Sequence, residues 1–320
     1  MRTFLVAFLM ALGISAVTTP LVLHLARRWG LLDSPDGVRK IHTTPMPRLG
    51  GIAIAAGFLM PIIALLFYSN FFSLELRDHM QRVVSFGLGV VGVLALGIYD
   101  DIKGCTAWTK LAGQGAVGIL IWQAGLRLET ISLAGQTIDI GLWSLPLTML
   151  WVAGFVNAMN LIDGLDGLAA GVAFFAALSL FITAMIDSNL MLGLFAAAIG
   201  GSVLGFLFYN FSPALIFMGD SGSMTIGFIF AAAGLWGAGK RATVLAVGLP
   251  ILALGLPMLD TTLAFVRRAL RGKSPFHSDR QHIHHRLLDA GLSQRQAVLT
   301  LYLVCSLLTG FVVLLRVWAR

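Results

Sequence analysis

The sequence predicts an all-α, polytopic membrane protein of about ten transmembrane helices, eleven at most, with a small extracytoplasmic β-hairpin. Three observations predict it. The 320-residue chain is 58% hydrophobic and only 12% charged, with a mean hydropathy of +0.87, a balance outside the soluble globular classes. Apolar runs long enough to cross about 30 Å of hydrocarbon recur along its whole length. Thirty-six glycines suit the close backbone approach that drives helix association in lipid. We read residues 1–320 as a single integral-membrane domain, with no linker or internal repeat.

In chain order the runs lie near 3–25, 50–68, 82–99, 110–126, 143–158, 167–187, 190–208, 222–238, 242–266 and 296–316. The first is too long for a signal-peptide core and reads as a retained span. Residues 126–142 break the helical pattern; Leu and Ile alternate with polar residues around Ala134-Gly135-Gln136, which reads as a hairpin on the outer face. Orientation follows from the basic residues. Fourteen lie in alternate connections, including Arg27, Arg28, Arg39, Lys40, Arg48, Lys103, Lys110 and the seven from Arg267 to Arg295, against eight on the other side. The fourteen are assigned to the cytoplasm, which puts both termini outside, as an even number of spans also requires. The formal charge of +7 gathers in loops between apolar runs, which argues against nucleic acid and for phosphate-bearing ligands at a membrane surface. Cys105 and Cys305 have neither disulfide-framework nor metal-ligand spacing.

Against this background NAMNLIDGLDGLAAG, residues 157–171, is the most informative stretch. Asn157, Asn160, Asp163 and Asp166 recur every three residues, a spacing that drifts slowly around one helical face. Ionisable groups beside hydrocarbon cost roughly 2.5–3.5 kcal/mol each at mid-helix and read as functional by default. Four more polar elements share the side assigned to the cytoplasm: MPRLGG with Arg48; the pair Asp100–Asp101; NFSPALIFMGDSGS with Asn210, Phe217 and Asp220; and HSDRQHIHHRL with Arg280, His282, His284, His285 and Arg286. One cytoplasm-facing site built from five loops follows.

Each element also has a plain structural reading. The Asp pair could be a solvated helix end, although acid at a C-terminus opposes the helix dipole. The Asn/Asp/Gly run could be a polar turn, but it lacks the twelve-residue pattern and terminal Glu of a calcium loop. Asp220 could cap the eighth span with Ser221 and Ser223, and the histidines could hold zinc. Taken together, clustered carboxylates and Asn favour a hard divalent cation such as Mg²⁺ that keeps substrate phosphates in its shell. Arg48, Lys110, Arg280, Arg286 and the histidines supply phosphate-binding donors, and Phe217 can stack on a flat base. The set predicts phosphoryl transfer from a soluble nucleotide to a lipid acceptor.

At these residues the chain closely resembles the polyprenyl-phosphate N-acetylhexosamine-1-phosphate transferase family, glycosyltransferase family 4. PRLGG, the Asp-Asp pair, NxxNxxDGxDGLA, FMGDSGS and HIHH occur in the family's order across nearly the whole chain. The resemblance implies transfer of an N-acetylhexosamine-1-phosphate, N-acetylglucosamine (GlcNAc) first among them, from a UDP-sugar to undecaprenyl phosphate with release of UMP. This is the first membrane step of a cell-envelope polysaccharide, at the bacterial inner membrane, with Mg²⁺ replaceable by Mn²⁺; a homodimer is admitted. By position, Asp220 resembles the Mg²⁺ ligand with Asn160 as a second contact. Asp100 and Asp101 match the catalytic pair, their division of labour open, and Phe217 matches the residue that stacks on uracil. Asn210, Asp163 and Asp166 match nucleotide-pocket positions, with Asn157 counted among the substrate contacts. His282, His284 and His285 match the catalytic His motif near the sugar-phosphate end. MPRLGG and HIHH point to the GlcNAc branch, not the muramoyl-pentapeptide branch, which carries a Lys three positions after the second Asp; Lys103 stands two after Asp101.

Two other classes fit less of the sequence. Tyr99-Asp100 suits an intramembrane aspartyl protease, but Phe217-Met218-Gly219-Asp220 lacks the first Gly of Gly-x-Gly-Asp. A transporter would hold its ionisable groups near the bilayer midplane, whereas these lie at one face.

Overall fold

The computed structural model describes residues 1–33, 45–133, 136–238 and 283–318. The elements are α1 Arg2–Arg28, β1 Leu32–Asp33, β2 Met46–Pro47, α2 Gly50–Leu65, α3 Phe71–Asp78, α4 Met80–Lys103, α5 Ala107–Gln123, β3 Thr130–Leu133 and β4 Gln136–Asp139, followed by α6 Ser144–Ile162, α7 Leu168–Ile186, α8 Leu190–Asn210, α9 Gly219–Ala238, α10 Ile283–Asp289 and α11 Gln294–Trp318. Among the described residues six helices, α1, α4, α6, α7, α8 and α11, are long and apolar enough to cross a membrane. The expected run at 242–266 lies outside the described residues, and α2, α5 and α9 cover the remaining three.

The core is centred on α7, α8 and α9. The apolar stretch of α8 is 78% buried inside the protein, against 28% for those of α1 and α11. Glycine explains how α1 lies so close to α8: a Cβ on Gly201 would sit 2.2 Å from the Phe8 carbonyl oxygen, and one on Gly205 2.4 Å from that of Leu12. This is the small-residue packing that lipid-facing helices use in place of a hydrophobic driving force. Ser202 adds a polar tie, its hydroxyl donating to the Ile54 carbonyl at 2.7 Å. On the other flank α11 runs alongside α7 in the same direction. Its Tyr302, Thr309 and Arg316 meet Gly167, Phe175 and Asp187 in turn.

Two features were not expected from the sequence. The connection after α2 contains α3, whose start is closed by a capping box: Asn70 Oδ1 accepts the Ser73 N–H at 2.9 Å while the Asn70 N–H donates to Ser73 Oγ at 3.1 Å. The first loop contains a two-residue antiparallel ladder, with Leu32 opposite Pro47 and Asp33 opposite Met46. Strands β3 and β4 pair antiparallel from Thr130–Asp139 to Leu133–Gln136.

Candidate active site

Three helix ends meet at Ser221 because glycines remove the side chains that would hold them apart. A Cβ on Gly51 would lie 2.3 Å from the Ser221 carbonyl carbon, and one on Gly97 2.4 Å from its Cα. The starts of α2 and α9 and the end of α4 are thereby pressed together. The first loop is also bonded to the segment before α9: Phe217 N–H donates to the Pro47 carbonyl at 2.8 Å, and Gly50 N–H to that of Phe217 at 3.2 Å. This gives the PRLGG and MGDSG motifs one structural purpose. Gly97→Ala is expected to lower the melting temperature of the detergent-solubilised protein, since overpacking here costs about 1–3 kcal/mol; an unchanged or higher melting temperature would contradict the contact.

The adjacent carboxylates of α4 face different partners, as neighbours about 100° apart on a helix must. Asp101 accepts the backbone N–H groups of Asp220 at 2.9 Å and Ser221 at 3.0 Å. It caps α9 from another helix, satisfying donors that α9 itself cannot. Gly219, at φ +69°, fits beneath it, since a Cβ there would lie 2.6 Å from Asp101 Oδ2. Asp100 accepts the Cys105 N–H at 2.5 Å and pairs with Lys110 of α5. Lys110 Nζ also pairs with Asp220, so one ammonium stands between the two carboxylates. Asn160 of α6 donates to Ser223 Oγ at 3.1 Å, beside the Asp220 carboxylate.

The other half of the cluster is the loop between α6 and α7. Asp166 accepts the Ala214 N–H at 3.1 Å. Asn210, 2% exposed, accepts the Gly167 N–H at 3.1 Å and donates to the Ile216 carbonyl at 2.9 Å. Both ends of its amide are thus engaged by backbone, tying the two loops together. Asp163 ends α6 and is half-buried. Burial first, then the charges of Asp220, Asp101 and Asp166, push its carboxyl up to about 8, with Arg48 opposing. Arg48 itself pairs with the buried Asp33, across the β1–β2 ladder. Among the described residues the cluster therefore holds more carboxylates than nearby cations.

Of the other expected residues, Phe217 is half-buried between the first loop and α9. Asn157 stands one turn from Asn160, where its amide donates to Gln114 Oε1 at 2.8 Å and to the Ala153 carbonyl at 2.8 Å. Arg286 is exposed on α10. Arg280 and His282 lie outside the described residues; His284 and His285 fall within α10, but their side chains are not among those described. The sequence reading missed Asp33, Gln114 and Tyr302. Lys110 and Gln114 sit four apart on one face of α5, a signal that a polar pair was present; nothing local marks the partners of Asp33 or Tyr302.

Among the described residues, Asp100, Asp101, Lys110, Asn160, Asp163, Asp166, Asn210 and Asp220 lie at or beside the ends or starts of helices, not halfway along them as a transporter's would. Among the described residues no three His, Cys, Asp or Glu side chains form a ready-made metal cage. Zinc and calcium sites supply such cages; Mg²⁺ more often takes one or two carboxylates together with substrate phosphates.

Residues 83–238, spanning most of α4 through α9, match the model of a family described as Glycosyl transferase family 4. Over 306 residues the chain is 36% identical to a probable undecaprenyl-phosphate N-acetylglucosaminyl 1-phosphate transferase of Bacillus subtilis, covering 95% of this chain and 82% of that one. It is 35% identical over 328 residues to a decaprenyl-phosphate N-acetylglucosaminephosphotransferase of Mycolicibacterium smegmatis, covering 95% and 80%. It is also 30% identical over 330 residues to a phospho-N-acetylmuramoyl-pentapeptide-transferase of Halalkalibacterium halodurans, covering 99% and 98%. Likeness of this extent, running through the carboxylate cluster and the spans that carry it, shows that the chain is a multi-pass membrane enzyme and belongs to glycosyltransferase family 4.

Proposed function

We propose that the protein transfers GlcNAc-1-phosphate from UDP-GlcNAc to undecaprenyl phosphate, releasing UMP, at the cytoplasmic face of the bacterial inner membrane. The observation that carries this reading is the meeting of Asp100, Lys110 and Asp220 at the ends of three helices, beside the half-buried Phe217. The choice of GlcNAc is supported by the names of the relatives at 36% and 35% identity, against 30% for the muramoyl-pentapeptide enzyme. The positive charge of the first loop and of the segment after residue 266 supports the cytoplasmic placement.

In the proposed reaction an oxygen of the acceptor phosphate attacks the β-phosphorus of the donor in line, and UMP leaves. Catalysis of such a transfer is mostly positioning and charge stabilisation. Lys110 provides a positive charge that phosphate oxygens can share with Asp100 and Asp220. Asp101 has both carboxylate oxygens committed to the start of α9, whereas Asp100 receives one backbone N–H and the Lys110 ammonium. That difference supports Asp100 as the group that orients the acceptor or takes its residual proton, and Asp101 as the group that fixes Asp220. The donor set fits a hard cation: Asp220 and Asn160 would hold Mg²⁺, or Mn²⁺ in its place, amid excess carboxylate. When bound, the cation neutralises charge on the donor's pyrophosphate. Phe217 and the loop carrying Asp163 and Asp166 form the nucleotide side in this reading, with the His segment toward the sugar.

The test is to supply purified protein with undecaprenyl phosphate, Mg²⁺ and, separately, UDP-GlcNAc, UDP-N-acetylgalactosamine or UDP-muramoyl-pentapeptide, and to weigh the lipid product. A GlcNAc-diphospholipid is expected; a product from the muramoyl donor alone would move the protein to the other branch. Phe217→Ala is expected to raise the Michaelis constant for UDP-GlcNAc about five- to tenfold, the loss of roughly 1 kcal/mol of stacking. The constant for the lipid should stay unchanged, and the reverse pattern would displace Phe217 from the donor side.

A further inference from the structure

The peptide of Gly167 is held from both sides, by Asn210 and by Tyr302, a residue that no motif includes. Its N–H donates to Asn210 Oδ1 at 3.1 Å. Its carbonyl accepts the first helical bond of α7, from Gly171 N–H at 2.9 Å, and a second bond from the Tyr302 hydroxyl at 2.6 Å. Gly167 is buried and left-handed, at φ +78°, so it is the pivot on which the DGLDG loop turns into α7. Tyr302 reaches it through a notch: a Cβ on Gly171 would lie 2.0 Å from Tyr302 Cζ. A second contact from the same helix reinforces the first. The Arg295 guanidinium lies over the Phe211 ring at 5.3 Å, and that ring abuts Gly167, where a Cβ would meet it at 3.2 Å. Helix α11 thus grips both loops that Asn210 joins, and α11 follows directly on α10, which carries His284 and His285.

We propose that Tyr302 is a positioning residue for the nucleotide-sugar: with Asn210 it clamps the Gly167 peptide and thereby sets Asp163 and Asp166, four and one residues before it, toward the donor. This rests on the reading of those carboxylates as donor-pocket residues. It adds that affinity for the donor, but not for the lipid, depends on the C-terminal helix. The role differs from plain helix docking, because α11 has an independent tie to α7 farther along, from Thr309 Oγ1 to the Phe175 carbonyl at 3.4 Å.

The experiment compares Tyr302→Phe, Thr309→Val and Asp166→Asn in the full-length protein, measuring kcat and the Michaelis constants for UDP-GlcNAc and undecaprenyl phosphate. Tyr302→Phe keeps the ring that fills the Gly171 notch and removes only the hydroxyl. It is expected to raise the donor constant about three- to tenfold, the range of one hydrogen bond, with kcat and the lipid constant within about twofold. Thr309→Val should leave all three unchanged. An unchanged donor constant in Tyr302→Phe overturns the clamp, as does an equal rise in Thr309→Val, which would mean loosened docking. If Asp166→Asn also leaves the donor constant unchanged, the donor-pocket reading falls with it; if Asp166→Asn raises that constant while Tyr302→Phe does not, the clamp alone fails.

Discussion

Asp220→Asn is expected to lower kcat by about a hundredfold or more, the scale of removing one preorganised electrostatic partner, in protein that still folds. Folding is preserved because what holds Asp220 in place is its backbone: the N–H bonded to Asp101 at 2.9 Å, with Ser221 beside it packed on Gly51 and Gly97. An Asn side chain has the same shape and can still meet Asn160. What disappears is the charge that faces Lys110 and that would hold the cation. The check is kcat at saturating Mg²⁺ together with a melting curve. Activity within about threefold of wild type, roughly 0.65 kcal/mol of barrier, would contradict the metal assignment.

Lys110→Met is expected to have an effect of similar size by a different route. The variant leaves Asp100 and Asp220 facing each other without the ammonium between them. These pairs are half-buried, so the loss falls between that of an exposed pair, about 1 kcal/mol or less, and that of a buried one, about 3–5 kcal/mol, and the melting temperature should fall in metal-free buffer. Added Mg²⁺ should restore much of it, because a divalent cation replaces the missing positive charge. Turnover should still be down by about a hundredfold or more, since the cation cannot also supply the Lys110 contact to the donor. Near-normal turnover, or a melting temperature that Mg²⁺ leaves unmoved, would show that Lys110 does not balance these carboxylates.

The sequence located the spans and the polar cluster because both are local signals. Runs of apolar residues mark helices without reference to partners, and Asn160, Asp163, Asp166 and Asp220 are conspicuous wherever they sit in a 58% hydrophobic chain. The short helix α3 was legible as well, in the Asn70-x-x-Ser73 box, but an apolar-run count passes over it. The division between Asp100 and Asp101 was not legible. Adjacent residues in a sequence look alike, and only the position of α9, set by contacts from Gly51 and Gly97, decides which carboxylate becomes its cap. The pairs Asp33–Arg48, Gln114–Asn157 and Tyr302–Gly167 join residues 15, 43 and 135 positions apart. Their existence depends on how helices pack, which no periodicity encodes. The His motif and the expected span at 242–266 lie outside what the structure describes in full.

The most direct test follows one atom. UDP-GlcNAc labelled with radioactive phosphorus at the β position is incubated with the purified protein, undecaprenyl phosphate and Mg²⁺, and the lipid and aqueous products are separated. Attack at the β-phosphorus moves that atom with the sugar, so the label is expected in the lipid fraction at one equivalent per sugar, with unlabelled UMP in the water. Sugar transferred to the lipid while the label remains in water as UDP would mean that the bond to the sugar carbon breaks instead, and phosphoryl transfer at the Asp100–Lys110–Asp220 cluster would be the wrong reaction.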